Sequence, residues 1–135
     1  MIKKILITAL MFLPICTYAN KTLPLDGYLP PVKINNQQQY DYIYYSWISK
    51  SEFFSMEMIK VESNKEQTQL LECNKFTANL SLAEFVLTNK EFSDPRDITA
   101  MAKFLKNLDT NEMEACRQIQ LQNFEKIKKH IISKK

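Results

Sequence analysis

The sequence predicts an all-α protein: a small bundle of four to five helices, closed by one disulfide and preceded by an extended, proline-containing leader. Three observations point there. The chain has one glycine, Gly27, and beyond Pro31 a single proline, Pro95. Tight hairpins usually need glycine or asparagine at positive φ, so such a stretch suits helices. Apolar residues recur at helical spacing in successive segments from Tyr40 to Ile131. Two cysteines, Cys73 and Cys116, fall on helix faces that can meet, so helix phase and cysteine position agree.

The first nineteen residues set the expected compartment. Lys3 and Lys4 precede an apolar run from Ile5 to Leu13, and Thr17-Tyr18-Ala19 places small residues before Asn20. This is the layout of a secretory signal cleaved after Ala19. A membrane anchor and a lipoprotein signal ending at Cys16 are the alternatives. The run falls short of a ~20-residue span, and Ile15 is bulky where a lipoprotein signal wants a small residue. The expected product is periplasmic or secreted, with no stable membrane insertion after cleavage. It has 116 residues and two cysteines, because Cys16 leaves with the signal. In an oxidising compartment two cysteines read as one disulfide, Cys73–Cys116, with two free thiols as the alternative. Closing a loop of this size adds about 4 kcal/mol in the chain-entropy account.

Residues 20–36 hold Pro24, Gly27, Pro30 and Pro31, which makes them an extended leader. Residues 37–135 are expected to form one helical domain. Its first helix runs from about Asn36 to Glu62. Tyr40, Ile43, Tyr44, Trp47, Phe54, Met58 and Val61 line one face, and Tyr42, Tyr45, Phe53 and Met56 line a second, almost opposite. A helix apolar on two sides is either central in the bundle or has a partner on one side; central burial is the expectation. The competing reading is a strand through Tyr40–Tyr45, a β-prone run.

Asn64 and Lys65 mark a break, and a second helix is predicted over Glu66–Asn79. Ser81-Leu82-Ala83-Glu84 then reads as a capping box, with Leu80 and Phe85 as its staple, so another helix should start there and reach Asn89. Asp94 and Pro95 start the next helix, with Asp97 in its first turn. Ile98, Met101, Ala102, Leu105 and Leu108 form its buried stripe. After Asp109–Asn111 the last helix covers about Glu112–Ile132, with Met113, Cys116, Phe124, Ile127 and Ile131 on one face.

Charge divides by region. The whole chain carries +3; residues 20–115 carry ten Lys/Arg against fourteen Asp/Glu, and residues 116–135 six Lys/Arg against Glu125 alone. The body is acidic and the last helix basic. A solvated helix face is the plain reading of that helix; a nucleic-acid or anionic-membrane patch is the alternative. Secretion argues against nucleic acid.

The residue inventory argues against most catalysis. One histidine, His130, lies among Lys128, Lys129 and Lys134, where its protonation as a general base is disfavoured. One glycine allows no glycine-rich phosphate loop and no glycine-flanked nucleophile elbow. A zinc site needs more His or Cys than the chain can spare. Haem ligation by His130 with Met56 or Met58 would lack any covalent-attachment cysteine pair. Paired carboxylates leave an envelope hydrolase as a lesser alternative. No catalytic residue, metal or cofactor is expected.

Cys73-Asn74-Lys75-Phe76, and Glu114-Ala115-Cys116 leading into Phe124-Glu125-Lys126-Ile127-Lys128-Lys129, resemble the acid-activated periplasmic chaperones of the HdeA type. The resemblance covers roughly residues 70–130. Residues 20–69 have no counterpart in that family, and the segment between the cysteines matches only in being helical. It implies a protein that is folded and inactive near neutral pH, and that loosens in acid to bind unfolding clients. Two binding roles therefore stand. One is a chaperone for unfolding clients. The other is a dedicated envelope binder, such as an inhibitor, a toxin-immunity protein or a secretion-system accessory. Tyr42, Tyr45, Phe53 and Met56 are the candidate partner-binding residues, because aromatics and methionine are favoured at interface cores. The partner expected is a protein, an unfolded client or a second copy of the chain in a homodimer.

Overall fold

Four caps set where the helices begin. In the computed structural model, which describes residues 25–134, the Asn36 side chain accepts from the Gln39 amide at 2.9 Å and opens α1, Gln37–Lys60. Asn64 does the same for α2, Lys65–Thr88, accepting from Gln67 at 3.1 Å. Asp94 accepts from Arg96 at 2.8 Å and Pro95 takes the first position of α3, Pro95–Lys106. Asp109 accepts from Asn111 at 2.8 Å and opens α4, Thr110–Ser133. Each cap satisfies an amide that the first turn would otherwise leave without a partner. A short 3₁₀ turn, Lys90–Phe92, joins α2 to α3. The described residues are thus an all-α bundle of four helices with one disulfide. The signal expected over residues 1–19 and the leader before Leu25 lie outside the described residues.

The central helix is α2, not α1. The other three helices all pack against α2. Its stretch Leu80-Ser81-Leu82-Ala83 is buried on consecutive residues, as are Phe85 and Val86. A helix buried all round has no single apolar stripe. One core joins Tyr40 and Trp47 of α1 to Ala78, Leu82, Phe85 and Val86 of α2, with Ile34 from the leader. A second joins Leu25, Cys73, Leu80 and Cys116, with Phe104 and Leu105 of α3, Leu108 just beyond it and Met113 of α4 packed against it. Cys73 and Cys116 are bonded across α2 and α4, with Cα atoms 5.1 Å apart. Residues 40–48 are helix throughout, so the strand alternative is excluded.

The predicted break at Ser81 does not occur. α2 runs unbroken from Lys65 to Thr88, and the sequence Ser81-Leu82-Ala83-Glu84 caps nothing. Both polar side chains of that motif serve the leader instead. The Ser81 hydroxyl accepts from the Leu29 amide at 3.1 Å, and Glu84 accepts from the Tyr28 hydroxyl. Asn89, wholly buried at the end of α2, accepts from the Ile34 amide at 3.0 Å and donates to the Val32 carbonyl at 2.9 Å. Lys33 donates to the Thr88 carbonyl at 3.0 Å and pairs with Glu91. At the leader's start Gln120 of α4 accepts from the Asp26 amide at 2.9 Å and donates to its carbonyl at 3.2 Å. Residues 25–36 are therefore an extended strap, turned at Gly27 (φ +79°) and pinned along α2 and onto α4. That positive φ favours glycine because it has no Cβ.

Candidate protein-docking surface

α1 buries one face and leaves the other open. Tyr40 and Trp47 are buried, and Ile43, Tyr44, Ile48 and Phe54 pack against the first core. On the opposite side Tyr42, Tyr45, Phe53 and Met56 are 77, 63, 51 and 56 % exposed. Central burial of this second stripe is therefore overturned: α2 occupies the centre, and α1 lies on the outside with one face on α2. At 100° per residue the four side chains fall within an arc of about 80°, along about 21 Å of helix. Ile59, 75 % exposed, extends the line by one turn; it was not among the residues expected to bind.

Two of the exposed rings are held in place from beneath. The Tyr45 ring meets Tyr44 edge-on at 5.3 Å, and Phe53 meets Phe54 edge-on at 5.7 Å. Tyr44 and Phe54 are themselves packed on the core. The Tyr44 hydroxyl also donates to Asp97 of α3 at 3.1 Å. Burial, and then that carboxylate, push the Tyr44 pKa up to about 12, so the phenol stays a donor across the neutral range. Tyr42 forms the wall between two shallow grooves. One runs along Asn35, Gln38 and Gln39 beside the leader, and the other along Asp41, Ser46 and Ser49. On the neighbouring face Lys50 sits over the Trp47 ring at 5.0 Å, a cation–π contact.

The result is a row of aromatic and thioether side chains with polar edges and fixed ring positions. Such a surface favours another protein chain, because rigid aromatics bury large areas at small entropic cost. His130 is exposed near the end of α4. Among the described residues no group of three or more His, Cys, Asp or Glu could hold a metal ion. Elsewhere an open cleft of about 470 Å³ lies between the leader and α4, lined by Leu25, Gly27, Tyr28, Gln120, Leu121 and Phe124.

The other expected residues divide. Cys73 and Cys116 meet as expected. On α4, Met113 and Cys116 lie in the second core, whereas Phe124, Ile127 and Ile131 on the same face are at least half exposed. Ile98, Met101 and Leu105 of α3 pack inward, as does Leu108 just beyond its end, but Ala102 is exposed. Sequence reasoning missed Asn89 and Gln120 altogether, and misread Ser81. Isolated polar residues inside a helix carry no local sign that a distant strap will seek them out.

No protein-family model, no curated protein and no solved structure matches this chain.

Proposed function

We propose that the protein is a non-enzymatic binding protein of the periplasm or extracellular space, and that it docks a partner protein on the Tyr42–Tyr45–Phe53–Met56 face of α1. The observation that carries this is the exposure of that face on a helix whose other face packs on α2 through Tyr40, Trp47 and their neighbours. The compartment follows from the secretory layout of residues 1–19, and a bonded Cys73–Cys116 pair is consistent with oxidising surroundings. The reading favours a dedicated binder, because the docking face is open in the folded chain and needs no unfolding to appear.

The test is a double variant, Tyr45→Glu with Phe53→Glu, used as bait against an envelope extract at neutral pH. Both residues are at least half exposed, so the variant should keep its helical circular dichroism and lose a partner that the parent captures in stoichiometric amount. A variant that unfolds would show these rings to be core, and would remove the support for this reading.

A second reading is an acid-activated chaperone, favoured by how the leader is held. Lys33 and its hydrogen bond hold Glu91 below its ordinary pKa of 4.5. Arg96 does the same for Asp94 on the α3 cap, and Gln118 and then Arg117 for Glu114 on α4. A carboxylate with a lowered folded pKa adds stability above its unfolded pKa, and that stability is lost as pH falls through the lowered value. Acid thus releases the Lys33–Glu91 tie next to Ile34 and the Arg96–Asp94 and Arg117–Glu114 pairs, a loosening in the direction that the resemblance of residues 70–130 implies. Repeating the capture at about pH 3 separates the two readings. A broad client set appearing only in acid supports the chaperone; one partner at neutral pH supports the binder.

A further inference from the structure

The last helix carries a second open surface of different character. The inward line of half-buried Met113 and buried Cys116 and Gln120 continues at the same three- and four-residue steps through Phe124, Ile127 and Ile131. Yet from Phe124 to Lys134 every residue is exposed. Beyond Lys126 the cause is length. Lys126 pairs with Glu66 in the first turn of α2, so α2 begins where α4 has already run about two-thirds of its length. Ile127–Ser133 then runs on for about 10 Å with no α2 residue alongside.

Charge decides what this half-helix fits. Residues 121–134 hold Lys126, Lys128, Lys129 and Lys134 against Glu125. Lys126 is engaged with Glu66; Lys128, Lys129 and Lys134 form no salt bridge among the described residues. At helical spacing Lys128 falls inside the apolar arc, between Phe124 and Ile131 on one side and Leu121 and Ile132 on the other. A packed protein interface would have to bury that ammonium with a dedicated counter-charge. A second copy laid stripe on stripe would bring lysines of like sign together. A nucleic acid has no use for the isoleucines. A lipid surface suits both features, because a lysine stem lies along hydrocarbon while its ammonium reaches the headgroups.

We propose that the second half of α4 docks on an anionic phospholipid surface, lying in the headgroup plane with Phe124, Ile127 and Ile131 inserted. A basic amphipathic helix binds in this way by combining apolar burial with attraction to anionic lipid. The docking is peripheral: no described helix is long and apolar enough to cross a membrane. It rests on α4 alone and is independent of the α1 face.

The experiment is co-sedimentation of the oxidised chain beginning at Asn20 with lipid vesicles. That start keeps every described residue and omits the apolar run Ile5–Leu13, which would bind lipid by itself. The expected result is binding to vesicles of equal parts phosphatidylcholine and phosphatidylglycerol, no binding to phosphatidylcholine alone, and loss in high salt. Lys128→Gln with Lys129→Gln should weaken binding roughly 30-fold at low salt. Ile127→Ser with Ile131→Ser should abolish it while leaving the circular dichroism unchanged. No binding by the parent chain overturns the proposal. So does undiminished binding by the isoleucine variant. A dimer that this variant dissociates, without vesicle binding, overturns it in favour of a second copy.

Discussion

Asn89 shows what single polar residues do in this molecule. Its side chain is wholly buried and makes three hydrogen bonds, two to the leader and one back to Phe85 at 3.0 Å. Asn89→Ala leaves the Ile34 amide and the Val32 carbonyl without partners, and an unsatisfied buried group costs about 1–3 kcal/mol. Urea unfolding of that variant should show a loss of about 2–4 kcal/mol. Two tyrosines mark the alkaline side. Tyr28 and Tyr44 are both pushed up to about 12, first by burial and then by Glu84 and Asp97. A raised folded pKa gives stability that is complete below the unfolded value of 10.0 and is lost as pH rises toward 12. Ultraviolet titration should therefore show a late tyrosinate fraction that Tyr28→Phe and Tyr44→Phe each reduce. Stability should decline over the same window.

Among the elements, α2 is the one where local pattern and tertiary structure part. The start at Asp94 was legible because a cap is a local event: a short polar side chain, the amides after it, and a change of period; Asn64 and Asp109 were read only as breaks, and their helices begin at Lys65 and Thr110 rather than Glu66 and Glu112. Ser81 and Glu84 have the same chemistry, but their partners, Leu29 and Tyr28, lie more than fifty residues upstream. A proline scan resolves the two possibilities. If a helix began at Ser81, Leu82 would be its first residue, where proline is well tolerated. Within an unbroken α2, proline also removes a hydrogen bond and clashes with the preceding turn. Leu82→Pro should thus be destabilised by about 3 kcal/mol beyond Leu82→Ala, compared by thermal unfolding. The proposed docking face of α1 was half legible. Periodicity identified two apolar stripes, but it cannot say which one a neighbouring helix will cover. That choice was made by α2, whose four consecutive buried residues from Leu80 to Ala83 draw the other elements around it.

The whole molecule is a hub with three spokes, and the spokes are fastened differently. α1 shares with α2 a broad core centred on Tyr40, Trp47 and Phe85, in which Tyr40 and Phe85 stack at 5.2 Å. α4 depends on the disulfide, on Gln120 and on the Lys126–Glu66 pair, since much of its length is exposed. Reducing Cys73–Cys116 should cost about 4 kcal/mol. The loss should be uneven. Hydrogen exchange after reduction should show the largest fall in protection in α4, with the α1–α2 pair retaining most of its own. Equal loss in all four helices would mean that the bundle opens as one unit.

If the chain is exported as proposed, the strap also has a consequence for the order of events. Asp26 and Gln120 stand 94 residues apart, and their mutual hydrogen bonds close one of the longest loops in the chain. A chain delivered amino end first presents the strap early, but its α4 anchor arrives near the end. α1 and α2 can pair while the rest is still emerging. The strap stays untied at Gln120 until α4 is delivered, and the thiol of Cys73 likewise waits for Cys116. Contacts of such long sequence separation form slowly, so on the proposed export route the chain would stay loose and threadable through most of its passage and lock only behind its own last helix.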